Sequence, residues 1–257
     1  MTSSVADKPG RCCFFPLSFD FDLLFPPITS TPHVITDLKA LPDEATILKA
    51  AALEVLDAKG EKVKFGSIIE GQKTVVGTSS VVYDSARVFH LTLLKLCPHL
   101  PLIDQACQAY VEQLASVPQD SLTQAGTKIV IIGCGEAAAI LHYTETTKFT
   151  GAIYADPSRE LYHALGMTIE NLQRTPAGEE RPSYLRGMSL LGGTLRSIWR
   201  GPVRKPTLIG KQGNISQLGG EFIFGPGNKC SFASRMKHTE DHIEVADLMK
   251  EAGVVLP

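Results

Sequence analysis

The chain has 257 residues, of which 44% are hydrophobic and 20% are charged, and its formal net charge is −2. This composition predicts a globular protein with one sizeable core, and the near-neutral charge argues against a nucleic-acid partner. No run of about 18 apolar residues occurs, so we expect no membrane span. The six cysteines have no paired spacing and no C-x-x-C motif, which favours a reducing, cytoplasmic environment over a disulfide scaffold.

The sequence divides into a tail and one domain. Residues 1–42 are rich in Pro, Ser and Thr and lack sustained periodicity, so we predict a flexible N-terminal tail. Residues 43–257 are predicted to form a single α/β domain. Within this domain, residues 77–106 mix turn residues with apolar ones and fit no regular element, so we interpret them as an irregular insertion.

The domain is predicted to begin with a helix over about 42–52 and a β-hairpin over 53–65 that turns at Gly60. A short loop over 65–71 should follow, and the first core strand should start at Lys73. Later segments predict strands and helices in alternation. The predicted strands are 128–132, 152–156, 221–224 and 230–234, and the predicted helices are 136–147, 157–165 and 243–252.

A thiol lies near the start of another predicted helix. Asp104 is a favoured N-cap residue, which would place Cys107 in the first helical turn. The helix face that repeats at i, i+3, i+4, i+7 and i+8 consists of Cys107, Tyr110, Val111, Leu114 and Ala115. Unpaired N–H groups at a helix N-terminus favour a reactive thiolate, although a nearby carboxylate such as Asp104 opposes it.

This order of elements predicts a mixed sheet with helices on both faces, which is the thioredoxin-like architecture. The chain resembles the peroxiredoxin-like AhpC/TSA family, which includes the mammalian peroxiredoxin-like 2 proteins. The resemblance covers about 46–254, apart from 77–106. The segments that carry it are 53–60, 65–67, 70–76, 107–114, 153–162, 192–200 and 217–228.

The resemblance implies a thiol-dependent antioxidant oxidoreductase that reduces peroxides or related substrates. Its partners would be a small-molecule oxidant and a thiol reductant, with no bound cofactor. Cys107 aligns with the second cysteine of the family's C-x-x-C loop and would be the redox thiol. Asp104 takes the position of the first cysteine, so the pair is incomplete and the activity could be impaired. Intron read-through of residues 77–106 would produce this pattern.

Two alternative functions remain open. The first is a non-catalytic interaction protein on the same fold, with its active loop destroyed. The second is a nucleotide- or S-adenosylmethionine-binding enzyme that uses the Gly133–Gly135 loop. The run from Gly133 to Ala138 reads G-x-G-x-x-A after a strand, and Asp156 ends the next strand. No convincing third parallel strand follows Asp156, which favours a simple strand-to-helix turn.

A polar run near the C-terminus has a spacing that could hold a metal ion. It consists of His238, Glu240, Asp241, His242 and Glu244. A solvated turn followed by a helix N-terminus explains the same run, so we predict a solvated surface and no metal site.

Overall fold

The computed structural model describes residues 37–79, 100–186, 211, 213–227 and 229–257. Most of the predicted tail (1–42) and most of the predicted insertion (77–106) lie outside these residues. The range 187–210, which contains the whole resembling segment 192–200, lies outside them as well. The prediction of one domain over 43–257 with an N-terminal tail therefore stays a prediction.

The described strands form one mixed sheet in the order β2-β1-β5-β4-β3-β6-β7. The strands are β1 (Glu54–Leu56), β2 (Lys62–Lys64), β3 (Lys73–Ser79), β4 (Thr127–Gly133), β5 (Ala152–Ala155), β6 (Gly220–Gly225) and β7 (Lys229–Arg235). The three central strands, β3, β4 and β5, are parallel, and the flanking strands pair with them antiparallel. The run of β-branched side chains in β4 suits a central strand that is covered on both faces.

Helices cover both faces of the sheet. They are α1 (Glu44–Ala52), α2 (Phe65–Ile69), α3 (Leu100–Ala115), α4 (Gln119–Gln124), α5 (Ile140–Thr147), α6 (Glu160–Ala164) and α7 (Val245–Glu251). Short 3-10 turns occur at Ala137–Ala139 and Ser183–Leu185. One buried cluster joins α3, α5 and α7 to the sheet, and a second joins α1, α2 and α6 to the opposite face.

Successive side chains of β6 point to these two faces, because the side chains of a strand alternate. Phe222 and Phe224 belong to the cluster with α1 and α2, whereas Ile223 belongs to the cluster with α3 and α7. Glu221 has the same parity as Ile223 and therefore lies on the α3 side. The strand thus places one carboxylate in an otherwise apolar layer.

Most of the predicted regular elements are confirmed, including both hairpins and the final helix. The loop predicted over 65–71 is wrong, because Phe65–Ile69 forms α2 and buries Phe65, Ile68 and Ile69 in the core. Both ends of the predicted insertion, 77–106, belong to regular elements. Strand β3 continues through Ser79 in parallel register with β4, and α3 begins at Leu100.

Residues near the end of the predicted tail (1–42) contact Arg235 on β7. Its Nη1 atom donates hydrogen bonds to the carbonyl oxygens of Leu38 and Ala40, and its Nε atom donates to the carbonyl of Leu165. The guanidinium also lies over the ring of Phe222. This buried arginine therefore joins residues 38–40 to the end of β7.

Candidate functional site

Cys107 is the eighth residue of α3 and does not lie in the first helical turn. The predicted N-cap at Asp104 is therefore wrong, since Asp104 itself lies inside the helix. Pro101 near the start of the helix is compatible with this extension, because a proline in the first turn lacks an N–H that would be unpaired there anyway. The helix N-terminus cannot supply the activation expected for Cys107, because that effect fades within one turn.

The side chain of Cys107 instead contacts an imidazole. Cys107 is buried, with 4% of its surface exposed, and its thiol interacts with the side chain of His242. His242 lies in the loop between β7 and α7. The fold therefore brings the predicted redox thiol to a histidine from the polar run that was expected to be solvated.

His242 also contacts the carboxylate of Glu221 on β6. Its Nδ1 atom lies 2.6 Å from Oε1 of Glu221, and both side chains are fully buried. Burial alone would lower the pKa of His242, but the Glu221 carboxylate and the neighbouring Cys107 thiol raise it to about 10. Burial raises the pKa of Glu221, and the neighbouring imidazole opposes that rise. The chain thus forms a buried thiol–imidazole–carboxylate arrangement.

Two tyrosines enclose this arrangement. Tyr110, one turn after Cys107 on α3, stacks on the His242 ring. Tyr184 meets both Tyr110 and His242 edge-on, with centroids 5.3 and 6.0 Å away. Burial raises the pKa of both phenols. These neutral aromatic rings exclude water from the imidazole and strengthen its interaction with the carboxylate.

Known proteins are similar to this chain over most of its length. A family model described as AhpC/TSA antioxidant enzyme matches residues 113–238. Human Peroxiredoxin-like 2C is 33% identical over 219 residues, which cover 83% of this chain and 84% of that protein. The chain belongs to the peroxiredoxin-like AhpC/TSA family. Mouse Peroxiredoxin-like 2C is also 33% identical, over 79% of both chains.

Solved peroxiredoxins are similar at lower identity. Peroxiredoxin Q of Xanthomonas campestris has a TM-score of 0.46 and 12% identity over 83% of this chain and 95% of its own. A cysteine mutant of the Peroxiredoxin 6 of Arenicola marina has a TM-score of 0.47 and 15% identity, over 79% of this chain and 69% of its own. The seven-stranded mixed sheet with helices on both faces confirms the thioredoxin-like fold class predicted for this family member. The residues matched by the family model include Glu221 but begin after Cys107 and end before His242.

Two other described cysteines differ from Cys107 in their surroundings. Cys134 follows β4 and Cys230 lies on β7, and neither forms a disulfide. Burial raises the pKa of Cys134 to about 12 and that of Cys230 to about 11. Because the thiolate is the reactive form, neither thiol is primed for chemistry near neutral pH.

A surface segment packs over the buried arrangement of Cys107, His242 and Glu221. We name residues 171–186 the covering segment. Arg174 and Arg181 both donate to Oε1 of Glu240, at 3.0 and 2.9 Å, and Thr175 donates its hydroxyl to Oε2. The hydroxyl of Tyr184 donates to the backbone carbonyl of Glu240 at 2.8 Å. These hydrogen bonds hold the covering segment against the loop that carries His242.

The prediction that the polar run is solvated is wrong. His238, Glu240 and His242 are each less than 10% exposed. No group of three or more His, Cys, Asp or Glu side chains that could hold a metal ion occurs among the described residues. The acidic and imidazole groups of the run instead engage protein partners, as Glu240 does with two arginines. An acidic residue inside the apolar strand Glu221–Phe224 was the sequence signal that a buried partner was needed.

The loop through Gly133 and Gly135 does not present a nucleotide site. The N–H of Glu136 donates to the carbonyl of Lys211, and Gly213 lies directly against the carbonyl of Cys134. The carboxylate of Asp156 already has protein partners, since it accepts hydrogen bonds from Ser158 and from the N–H of Leu161. Among the described strands, the one that follows β5 in the sequence is β6, and it pairs antiparallel with β3. The described strands therefore do not include the third parallel strand that a nucleotide-binding half needs after Asp156.

The part of the chain that the structure describes contains no helix long and apolar enough to cross a bilayer.

Proposed function

We propose that this protein is a thiol-dependent oxidoreductase that reduces peroxides or related oxidised substrates, with Cys107 as its redox thiol. The observation that carries the proposal is the contact between Cys107 and His242, whose pKa is raised to about 10. An imidazolium beside a thiol favours the thiolate, which is the nucleophile. Among the described cysteines, Cys134 and Cys230 lack such a partner and have raised pKa values.

The reaction follows the chemistry of a single reactive thiol. The Cys107 thiolate attacks one peroxide oxygen, so that an S–O bond forms, the O–O bond breaks and the leaving oxygen departs as an alcohol or water after taking a proton. Cys107 becomes a sulfenic acid. One external thiol condenses with it, releasing water, and a second thiol reduces the resulting mixed disulfide. By the family resemblance, Asp104 takes the position of the paired cysteine, so we assign the reductant role to external thiols.

A non-catalytic interaction protein is the second candidate, and the burial of Cys107 favours it. With 4% of its surface exposed, this thiol meets a peroxide only if the covering segment moves or a narrow path admits the oxidant. A cytoplasmic location forms part of the first proposal, because free cysteines persist in a reducing compartment.

Consumption of hydrogen peroxide and of an alkyl hydroperoxide with a thiol reductant separates the two candidates. Wild type should turn over, Cys107→Ser should lose that activity, and the matched variants Cys134→Ser and Cys230→Ser should retain it. Equal peroxide consumption by wild type and Cys107→Ser would contradict the proposal. No consumption by folded wild type would favour the interaction protein.

A further inference from the structure

We propose that His242 and Glu221 form an acid–base pair for Cys107, in which His242 stabilises the thiolate and protonates the leaving oxygen while Glu221 positions and charges the imidazole. This inference deepens the proposed peroxide reduction and rests on it. His242 would be a catalytic residue because it contacts the reacting sulfur. Glu221 would be a positioning residue because it acts through the imidazole.

The two nitrogens of His242 have separate partners. Nδ1 is 2.6 Å from Oε1 of Glu221, which fixes the edge of the ring that faces β6. Nε2 has no hydrogen-bond partner among the described residues. Because Nδ1 faces Glu221, Nε2 is the nitrogen left to interact with the Cys107 thiol, whose proximity raises the pKa of the imidazole. A carboxylate on one imidazole nitrogen and a nucleophile on the other is the arrangement that lets a histidine hold and deliver a proton.

The ring has little freedom to turn away. Tyr110 stacks on the His242 ring with nearly parallel planes, and Tyr184 makes an edge contact with the same ring. On β3, the residue in register with Glu221 is Gly77. A glycine at that position places no side chain beside the carboxylate on this face of the sheet. Packing therefore holds the imidazole between Glu221 and Cys107 before any substrate arrives.

The charged and titratable groups around His242 are mostly acidic. Glu221 faces it from β6, Cys107 and Tyr110 from α3, and Tyr184 from the covering segment, while Asp241 and Glu244 lie on its own loop. The nearby carboxylate of Glu240 is already paired with Arg174 and Arg181. Among the described residues, the ion-pair partner of Glu221 is His242, and the backbone of Ile243 also donates a hydrogen bond to its carboxylate.

The proton balance follows from this arrangement. The thiol first loses its proton to solvent, and the imidazolium stabilises the thiolate. When the S–O bond forms and the O–O bond breaks, the electron pair goes to the leaving oxygen, which takes the Nε2 proton of His242. The neutral imidazole then regains a proton from solvent. The sum is a thiol and a hydroperoxide giving a sulfenic acid and an alcohol.

Site-resolved alkylation tests the pair without using peroxide. Iodoacetamide labelling of the full chain is followed at the Cys107 peptide by mass spectrometry in wild type, His242→Gln, Glu221→Gln and the control His238→Gln. His238 is a buried histidine of the same loop whose Nδ1 accepts from the N–H of Glu240. Near neutral pH, labelling of Cys107 should fall at least about tenfold in His242→Gln and stay unchanged in the control.

Nitrogen NMR measures the titration midpoint of the His242 ring, which would not change if Glu221 and Cys107 had a purely structural role. The ring should remain imidazolium at mildly alkaline pH in wild type, and its titration midpoint should fall in Glu221→Gln and in Cys107→Ser. Cys107→Ser is a small change, so it keeps the test decisive if His242→Gln does not fold. An unmoved midpoint, or equal Cys107 labelling in wild type and folded His242→Gln, would overturn the pair.

The pair and the proposed function can fail separately. Cys107 labelling that depends on His242, in a protein that consumes no peroxide, would support the pair and reject peroxide reduction. Peroxide turnover whose rate and pH profile are unchanged in His242→Gln would support the function and overturn the pair.

Discussion

The imidazole of His242 lies parallel to the ring of Tyr110, with centroids 4.2 Å apart and planes inclined by 6°. This stack joins the helix that carries Cys107 to the loop before α7. It buries a phenol whose hydroxyl has no hydrogen-bond partner among the described residues. An unsatisfied buried hydroxyl in a site of this kind calls for a functional or packing reason.

Substitutions of Tyr110 should separate stacking from the hydroxyl. Tyr110→Phe keeps the stacked ring and removes an unpaired buried group, so the free energy of unfolding should change by less than about 1 kcal/mol. Tyr110→Ala removes the ring and should cost about 3–5 kcal/mol. Urea unfolding measures both. A large loss in Tyr110→Phe would mean that the hydroxyl has a partner of consequence.

The protonation of His242 should make stability fall at alkaline pH. Its pKa is raised from 6.5 to about 10 in the folded state. The folded protein therefore holds a proton that the unfolded chain has lost, and this contribution is complete below about pH 6.5 and disappears as the pH rises through 10. Urea unfolding between these values should show a steeper decline in wild type than in His242→Gln. The variant His238→Gln should follow wild type, and parallel curves for all three proteins would contradict the prediction.

Glu240 should produce the opposite dependence at acid pH. Burial alone would raise its pKa, but hydrogen bonds from Thr175, Arg181 and Arg174 lower it from 4.5 to about 2. Its contribution to stability is therefore present above 4.5 and is lost as the pH falls towards 2. At neutral pH, Glu240→Gln should cost about 1–2 kcal/mol after allowance for solvent screening of the arginines.

The control for Glu240→Gln is Glu180→Gln. Glu180 forms an exposed ion pair with Arg186 in the same covering segment. Glu180→Gln should leave the free energy of unfolding unchanged within about 0.5 kcal/mol. A loss as large as that of Glu240→Gln would show that charge alone, without burial, explains the effect.

Loosening the covering segment should also expose the thiol. Arg174 and Arg181 hold this segment to Glu240, and its Tyr184 packs against Tyr110 and His242. Since Cys107 is buried, its labelling depends on local opening. Alkylation of Cys107 in Glu240→Gln should therefore be several-fold faster than in wild type, whereas Glu180→Gln should not differ. Unchanged labelling in Glu240→Gln would mean that the oxidant reaches Cys107 by another path.

The sequence predicted the parts of the fold that local patterns determine. The helical face of α3 was predicted from its spacing, and Tyr110, Val111 and Leu114 are each 1% exposed. The start of α3 was misplaced because Asp104 is a good N-cap residue, whereas the helix extends upstream to Leu100. Local preference for a cap was overridden by a longer helix, which moved Cys107 away from the helix terminus.

The candidate site could not be read from local patterns, because its residues come from separate elements. Cys107, Glu221 and His242 lie far apart in the sequence, and only the sheet order and the packing of α3 on β6 bring them together. The polar run containing His242 has the composition of a solvated loop. Its burial depends on contacts with the covering segment, which no local periodicity encodes.

The loop over Cys134 supplies a last prediction. Gly213 has φ +74°, and a Cβ atom there would lie 2.1 Å from the carbonyl oxygen of Cys134. Gly227, in the β6–β7 turn, has φ +80° with open space around it. Gly227→Ala should therefore cost only the backbone strain of about 1 kcal/mol, whereas Gly213→Ala must also displace the loop and should cost at least about 2 kcal/mol more.

Displacement of this loop should be visible at the thiol beneath it. The Sγ atom of Cys134 lies 3.5 Å from the carbonyl oxygen of Asn214, which belongs to the same loop. Alkylation of Cys134 should therefore accelerate in Gly213→Ala and remain at the wild-type rate in Gly227→Ala. Equal losses of stability and equal labelling in the two variants would show that positive φ alone, and not the close approach to Cys134, makes glycine necessary at position 213.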